Sequence, residues 1–179
     1  MALMNPEKSV YDIWQRKLET NKLFRYWWQF WSNYSFVFYF IAGCILLFEY
    51  NLVAVIILGL ASFVVARMII TVIINAVYKK QRPYQKFNFN VITSRFFSMR
   101  DVDFNSFPSR HSIAYASVAG SILVFNPTVG IALLIVTAMT GVARVILSYH
   151  WPSDILTGLI LGSITGYLLT IYGLSVFFT

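Results

Sequence analysis

Hydrophobic and polar residues fall in long blocks along this chain. From residue 5 to residue 31, charged and apolar residues alternate at helical spacing. Val10, Ile13, Trp14, Lys17, Leu18 and Asn21 lie near one face of such a helix, with Asp12, Arg16, Glu19 and Lys22 mostly on others. Trp27, Trp28 and Trp31 follow, and tryptophan favours the membrane–water boundary. The pattern predicts an amphipathic helix that lies in an interface and leads into a bilayer. Tyr34 to Phe48 is a first apolar span, short for about 30 Å of hydrocarbon and expected to extend back into the preceding aromatic residues. After Glu49-Tyr50-Asn51, Leu52 to Tyr78 forms a second span. Ser109 to Phe125 and Val129 to Leu147 form a third and a fourth, turned at Asn126-Pro127-Thr128. A fifth runs from about Ser153 to Phe178. The expected fold is all-α: a polytopic membrane helical bundle of five to six spans. It is a single domain over residues 1–179, with 1–31 as the interfacial segment and 34–178 as the transmembrane bundle.

Composition agrees. Of 179 residues, 58% are hydrophobic and 12% charged, against roughly 25% charged in a soluble domain. So few charges cannot clothe a water-exposed surface. The net charge of +7 calls for an anionic partner, either lipid headgroups or a phosphorylated substrate. No nucleic-acid partner is expected, because the cations are not arrayed along a soluble face. Cys44, the single cysteine, excludes an intrachain disulfide and reads as a packing residue. The N-terminus, with Glu7, Asp12 and Glu19 among its cations, does not resemble a cleavable signal peptide.

Two features interrupt the apolar spans. Arg67 stands mid-span, where a charge costs at least about 2.5 kcal/mol, so it either faces a polar cavity or partner or snorkels to the surface. Gly158, Gly162 and Gly166 repeat a small-residue spacing that lets another helix approach closely, which is packing. Residues 79–107 are polar and carry Lys79, Lys80, Arg82, Lys86, Arg95 and Arg100. Asp101 and Asp103 in that stretch read as solvated carboxylates, since a divalent cation wants more ligands.

Counting the crossings places three polar segments at one membrane surface: the end of span two near Arg82, the start of span three near His111, and the turn from Arg144 to Asp154. Both histidines of the chain lie there. A helix start at Pro108-Ser109 offers unpaired N–H groups to phosphate, with Ser109 as cap or donor and Arg110 beside it. Arg82 and Arg144 can each grip phosphate oxygens with two hydrogen bonds. His150 and Asp154 are four apart at a helix start, so the carboxylate can hold one imidazole nitrogen and leave the other to attack. His111 would protonate the leaving oxygen and later activate water. Together these make a phosphoryl-transfer site with no metal and no cofactor.

Arg82-Pro83, Pro108-Ser109-Arg110-His111, and Arg144 through His150 to Asp154 together resemble the signature of the type 2 phosphatidic acid phosphatase superfamily, membrane lipid phosphatases related to vanadium haloperoxidases. The motif-bearing segments span residues 75–154. The resemblance implies that His150 is a nucleophile forming a phosphohistidine, that Asp154 orients it and that His111 is the general acid. It implies phosphate binding by Arg82, Ser109, the residue 110 backbone and Arg144. The chain departs from the signature in three places. Asn75 stands where the family has lysine, and Lys79, one helical turn on, is expected to supply the missing charge, so that Lys79→Ala would cost more activity than Lys80→Ala. Arg110 replaces a glycine and Ala143 a serine.

The compact chain is most similar to the small bacterial members, whose substrates include phosphatidylglycerol phosphate, undecaprenyl pyrophosphate and the 1-phosphate of lipid A. The cations along the active face favour lipid A 1-phosphate, with the other two as alternatives. A non-enzymatic anionic-lipid binding or transport protein is the reading from another class, and His150→Ala separates it from an enzyme. The expected location is the bacterial inner membrane. The positive-inside rule would put the cationic side in the cytoplasm, but cations recruited for phosphate distort that count, and the resemblance favours the periplasmic face.

Overall fold

The computed structural model describes residues 6–46, 52–89 and 105–177. Regular structure within them is helical, and the one extended contact is an isolated bridge between Lys80 and Asn105. Helix α1 covers Pro6–Thr20, α2 Lys22–Tyr34 and α3 Phe36–Leu46. Helix α4 (Leu52–Val64) runs through a π turn at Val65–Ile70 into α5 (Thr71–Val77), and the short α6 spans Pro83–Phe87. Helices α7 (Arg110–Phe125), α8 (Pro127–Ile146) and α9 (Pro152–Phe177) complete the bundle. The Glu49–Asn51 connection and the stretch with Arg95, Arg100, Asp101 and Asp103 lie outside the described residues.

Three helical stretches are long and apolar enough to cross a membrane: Val53–Val77, Pro127–Ile146 and Pro152–Val176. Helices α2 and α3 follow one another along the bundle, and α3 is a shorter apolar helix. Only Ser35 separates them, and they run antiparallel to α8. Trp28 packs on the Ile146–Leu147 end, the Ser32 carbonyl accepts from Arg144, and the Tyr39 hydroxyl reaches the Leu133 carbonyl. Lys22 to Leu46 at about 1.5 Å per residue spans about 37 Å, the length a first crossing that recruits the aromatic segment before Tyr34 would need. Helix α7 is shorter than these spans, and most of its side chains are buried among α4, α8 and α9.

Asn126 turns α7 into α8. Its side chain accepts from Val129 N–H at 3.1 Å, and Pro127 takes the first position of α8, where no N–H is needed. The glycines of α9 do what their spacing predicts. A Cβ on Gly158 would come within 2.9 Å of Ser112 Cβ, and those on Gly162 and Gly166 would run into the Ile113 and Ser117 carbonyls of α7. Close approach of α7 and α9 fixes their N-terminal ends side by side, which is where the chemistry-bearing residues are.

Helix α1 differs from its expected face. Its buried side is Tyr11, Gln15 and Leu18 with Trp14 beside them, whereas Val10 and Ile13 are about half exposed and Lys17 is exposed. The reason is tertiary. Tyr11 packs on Trp151 and Phe87, and Leu18 on Ile146 and Leu147, so α1 docks on the loop between α8 and α9.

Candidate active site

Four chain segments meet at the end of the bundle capped by α1. The first is the turn after α8, which ends in the hydrogen-bond pattern of a Schellman motif: Tyr149 N–H bonds the Arg144 carbonyl and Ser148 N–H the Val145 carbonyl. Such an ending needs a left-handed residue, usually glycine. Ser148 supplies it at φ 62°, and its hydroxyl accepts from Gln15 Nε2 at 2.7 Å. Its carbonyl accepts from Tyr84 N–H at 3.2 Å. Contacts from α1 and α6 thus hold the strained residue that aims His150.

His150 is 2% exposed. Its Nδ1–H donates to the Ser106 carbonyl at 2.9 Å, which fixes the tautomer and puts the lone pair on Nε2. Nε2 faces Arg82 Nη1 at 3.4 Å. Burial pushes the His150 imidazole down to about 4, with the Arg82 and Arg144 charges adding to the effect and the nearby Asp154 opposing it. The ring is therefore neutral at neutral pH.

Asp154 lies against the same edge of the His150 ring. Its Oδ2 is 3.7 Å from Nδ1, and the Ser106 hydroxyl, which donates to that same Oδ2, lies beside both at 3.4 Å from Nδ1. Oδ2 also accepts from Trp151 N–H at 3.0 Å, the return half of a helix-capping arrangement at the start of α9. Oδ1 accepts from Lys80 Nζ at 2.7 Å. The carboxylate is fully buried and compensated on both oxygens.

Arg82, 5% exposed, precedes Pro83 at the first position of α6, and its backbone N–H is capped by Gln85 Oε1 at 3.0 Å. Its guanidinium also donates to the Tyr149 carbonyl at 3.2 Å. Ser109 caps α7 through Ser112 N–H, and its own N–H bonds the Asp154 carbonyl at 3.0 Å. Arg144 is buried in the last turn of α8. One of its nitrogens donates to the Ser32 carbonyl at 3.3 Å, and its Nε has no partner among the described residues. His111, in the first turn of α7, stacks edgewise on Tyr115 and lies in the field of His150 and Arg144. Arg110 precedes it and accepts on its carbonyl from Arg67 Nη1 at 3.3 Å.

The structure thus gathers Arg82, Ser109, Arg110, His111, Arg144, His150 and Asp154. It does not gather Lys79. Helix α5 ends at Val77, and Tyr78 is extended at φ −124°, ψ 115°. Helical spacing from Asn75 stops there, and in extended chain neighbouring side chains point to opposite sides. Lys79 consequently faces outward and Lys80 inward to Asp154. Lys79, Lys80 and Lys86 line an outer groove of about 470 Å³ against Trp151. Asn75 lies in α5 with its Oδ1 buried and unpartnered among the described residues. Sequence reasoning missed Ser106, Lys80 and Gln15. Ser106 and Gln15 carry no motif signal, and Lys80 lost to Lys79 only because the helix was extended one turn too far. Among the described residues no three His, Cys, Asp or Glu side chains form a metal-type cluster.

Fold and site together define an all-α membrane protein in which buried His150, Ser106 and Asp154 cluster beside Lys80 and face an arginine. The chain belongs to the PAP2 superfamily, whose family model matches residues 52–175. The undecaprenyl-diphosphatase BcrC of Bacillus subtilis (strain 168) is 28% identical to it over 104 residues, 58% of this chain and 51% of that protein. The chain thus spans about half the length of that relative. No solved structure matches it. Helices α1 and α2, which grip the Ser148 turn and Arg144, lie outside the matched region.

Proposed function

We propose that this protein is a membrane lipid phosphatase that transfers the phosphoryl group to His150 and then to water, without a metal. One observation carries the reading: His150 has Nδ1 committed to the Ser106 carbonyl, so Nε2 carries the lone pair, and that lone pair meets the Arg82 guanidinium at 3.4 Å. An arginine facing a neutral nucleophile marks where an anionic phosphoryl group would lie. Nε2 attacks phosphorus, the bond to the leaving oxygen breaks, and His111 gives that oxygen a proton. Water then surrenders a proton to His111 and attacks the phosphohistidine, releasing phosphate and restoring Nε2. Arg82 and Arg144, with Arg110 and the N–H groups at the start of α7, offset the charge of the five-coordinate transition state.

Among substrates, a lipid pyrophosphate of the undecaprenyl type comes first, supported by the activity named for the Bacillus relative. Lipid A 1-phosphate is the second reading, favoured by the cationic groove at Lys79, Lys80 and Lys86. Phosphatidylglycerol phosphate belongs in the same test. The detergent-purified protein is incubated with each lipid in EDTA and released phosphate is measured. Release abolished by His150→Ala supports the reading and ranks the substrates. Activity that appears only when Mg²⁺ is restored overturns the metal-free route, and silence in both conditions favours an anionic-lipid binding protein. We place the site on the periplasmic face of a bacterial inner membrane. A reporter enzyme active only outside the cytoplasm, fused after residue 179, is silent under that placement and active under the opposite one.

A further inference from the structure

Arg67 is the only charged residue between Leu52 and Val77, and hydrocarbon is an expensive place for it. It lies within the π turn at Val65–Ile70. Thr71 holds that turn, giving both its N–H and its hydroxyl to the Ala66 carbonyl, the hydroxyl at 3.0 Å. A π turn inserts a residue into the helix and re-aims the side chains around it, and such turns concentrate at functional sites. Here the guanidinium is sent up the bundle to the Arg110 carbonyl at 3.3 Å, beside His111. The turn packs against α7 and α9, the two helices whose starts carry the site. Arg67 therefore approaches the His111 side of the site from the membrane interior.

That direction has a chemical meaning. The lipid tail of a substrate must leave the site toward the hydrocarbon, so the leaving group lies on the membrane side, where His111 would protonate it. When a monoester is cleaved, the leaving oxygen becomes a neutral alcohol and needs no lasting counter-charge. When a diphosphate is cleaved, the leaving group is a lipid monophosphate that keeps negative charge. A fixed cation at this position assists the second case much more than the first. The chain also lacks a cation at Asn75, the position toward the water side of the same helix.

Resting on the phosphatase reading above, we propose that Arg67 binds the lipid-side phosphate of a lipid diphosphate and makes the site selective for diphosphates over monophosphates. The test compares farnesyl diphosphate with farnesyl monophosphate, short probes that share one tail, in wild type, Arg67→Met and Arg67→Lys. Arg67→Met removes a charge from hydrocarbon, so its thermal midpoint should equal or exceed that of wild type. The diphosphate-to-monophosphate ratio of kcat/KM should fall by about 30-fold in Arg67→Met, chiefly through kcat, and by less in Arg67→Lys. An equal loss on both substrates, or an unchanged ratio in both variants, overturns the assignment. Wild type inert toward both probes overturns this inference, while the phosphatase reading itself falls only if the three lipids of the assay above are left uncleaved as well.

Discussion

Lys80 and Asp154 form an ion pair of 2.7 Å in which the carboxylate is fully buried and the ammonium about one-quarter exposed. The pair joins the strand-like segment after α5 to the start of α9, and it charges the relay that ends on His150. Removing Lys80 leaves a buried carboxylate short of one partner, which is more damaging than losing a surface charge. Lys80→Ala should lower kcat by at least about 10-fold, whereas Lys79→Ala should change it by less than about 2-fold at moderate salt. Steady-state kinetics on the best substrate decide this, and equal losses would show that both lysines act only through the general field of the groove.

Ser106 is the second link of that relay. It holds His150 by its backbone carbonyl and Asp154 by its hydroxyl. Ser106→Ala keeps the carbonyl contact, so the tautomer survives, but cuts the connection to the carboxylate. The expected result is a fall in kcat of about 10-fold with KM little changed, as for a positioning group that does not touch substrate. Ser106→Thr, which retains the hydroxyl, should recover part of the rate. If Ser106→Ala matches wild type, Asp154 acts on His150 without an intermediary.

Much of this was legible in the sequence. The spans followed from hydrophobic blocks, because a bilayer enforces long apolar helices whatever the tertiary details. Crossing parity then put Arg82, His111 and His150 at one end without any knowledge of packing. What escaped was local backbone direction. Whether Lys79 or Lys80 faces inward depends on one extended residue, Tyr78, and nothing in the hydrophobic pattern records where α5 stops. Gln15 escaped because a polar residue on an amphipathic helix looks solvated until its partner, the Ser148 hydroxyl, is seen.

The depressed His150 imidazole makes a prediction about pH. Its ordinary value is 6.5 and its value in the fold is about 4. On the proposed mechanism the neutral ring is the nucleophile, so activity should be lost as pH falls through the folded value rather than through 6.5. At pH 5.5 an unperturbed imidazole would be only about 10% neutral, while His150 stays almost wholly so. The acid limb of kcat/KM should therefore lie below pH 5. Stability has the same sign. Between about 6.5 and about 4 the unfolded chain binds the proton and the folded one does not, so the fold weakens as pH drops across that window. An acid limb centred near 6.5 would mean that substrate access rehydrates His150 or that another group carries the nucleophile.

Gly158 couples bundle packing to the site. A methyl group there would meet Ser112 Cβ at 2.9 Å, with Ile113 N and the Ser109 carbonyl at 3.1 Å. None of these is a flexible side-chain tip, so α9 must back away from the start of α7. That movement strains the bond from Ser109 N–H to the Asp154 carbonyl, which holds the helix cap beside the relay. Gly158→Ala should cost about 1–3 kcal/mol of stability and depress activity beyond what the loss of folded protein explains. Gly43→Ala and Gly59→Ala are the controls, since nothing lies within 4 Å of a Cβ at either position. There alanine should be neutral or stabilising by up to about 1 kcal/mol, as the better helix former. Thermal unfolding in detergent alongside activity of the folded fraction separates the cases. If Gly158→Ala behaves like the controls, α7 and α9 can part without disturbing the His150 end of the molecule.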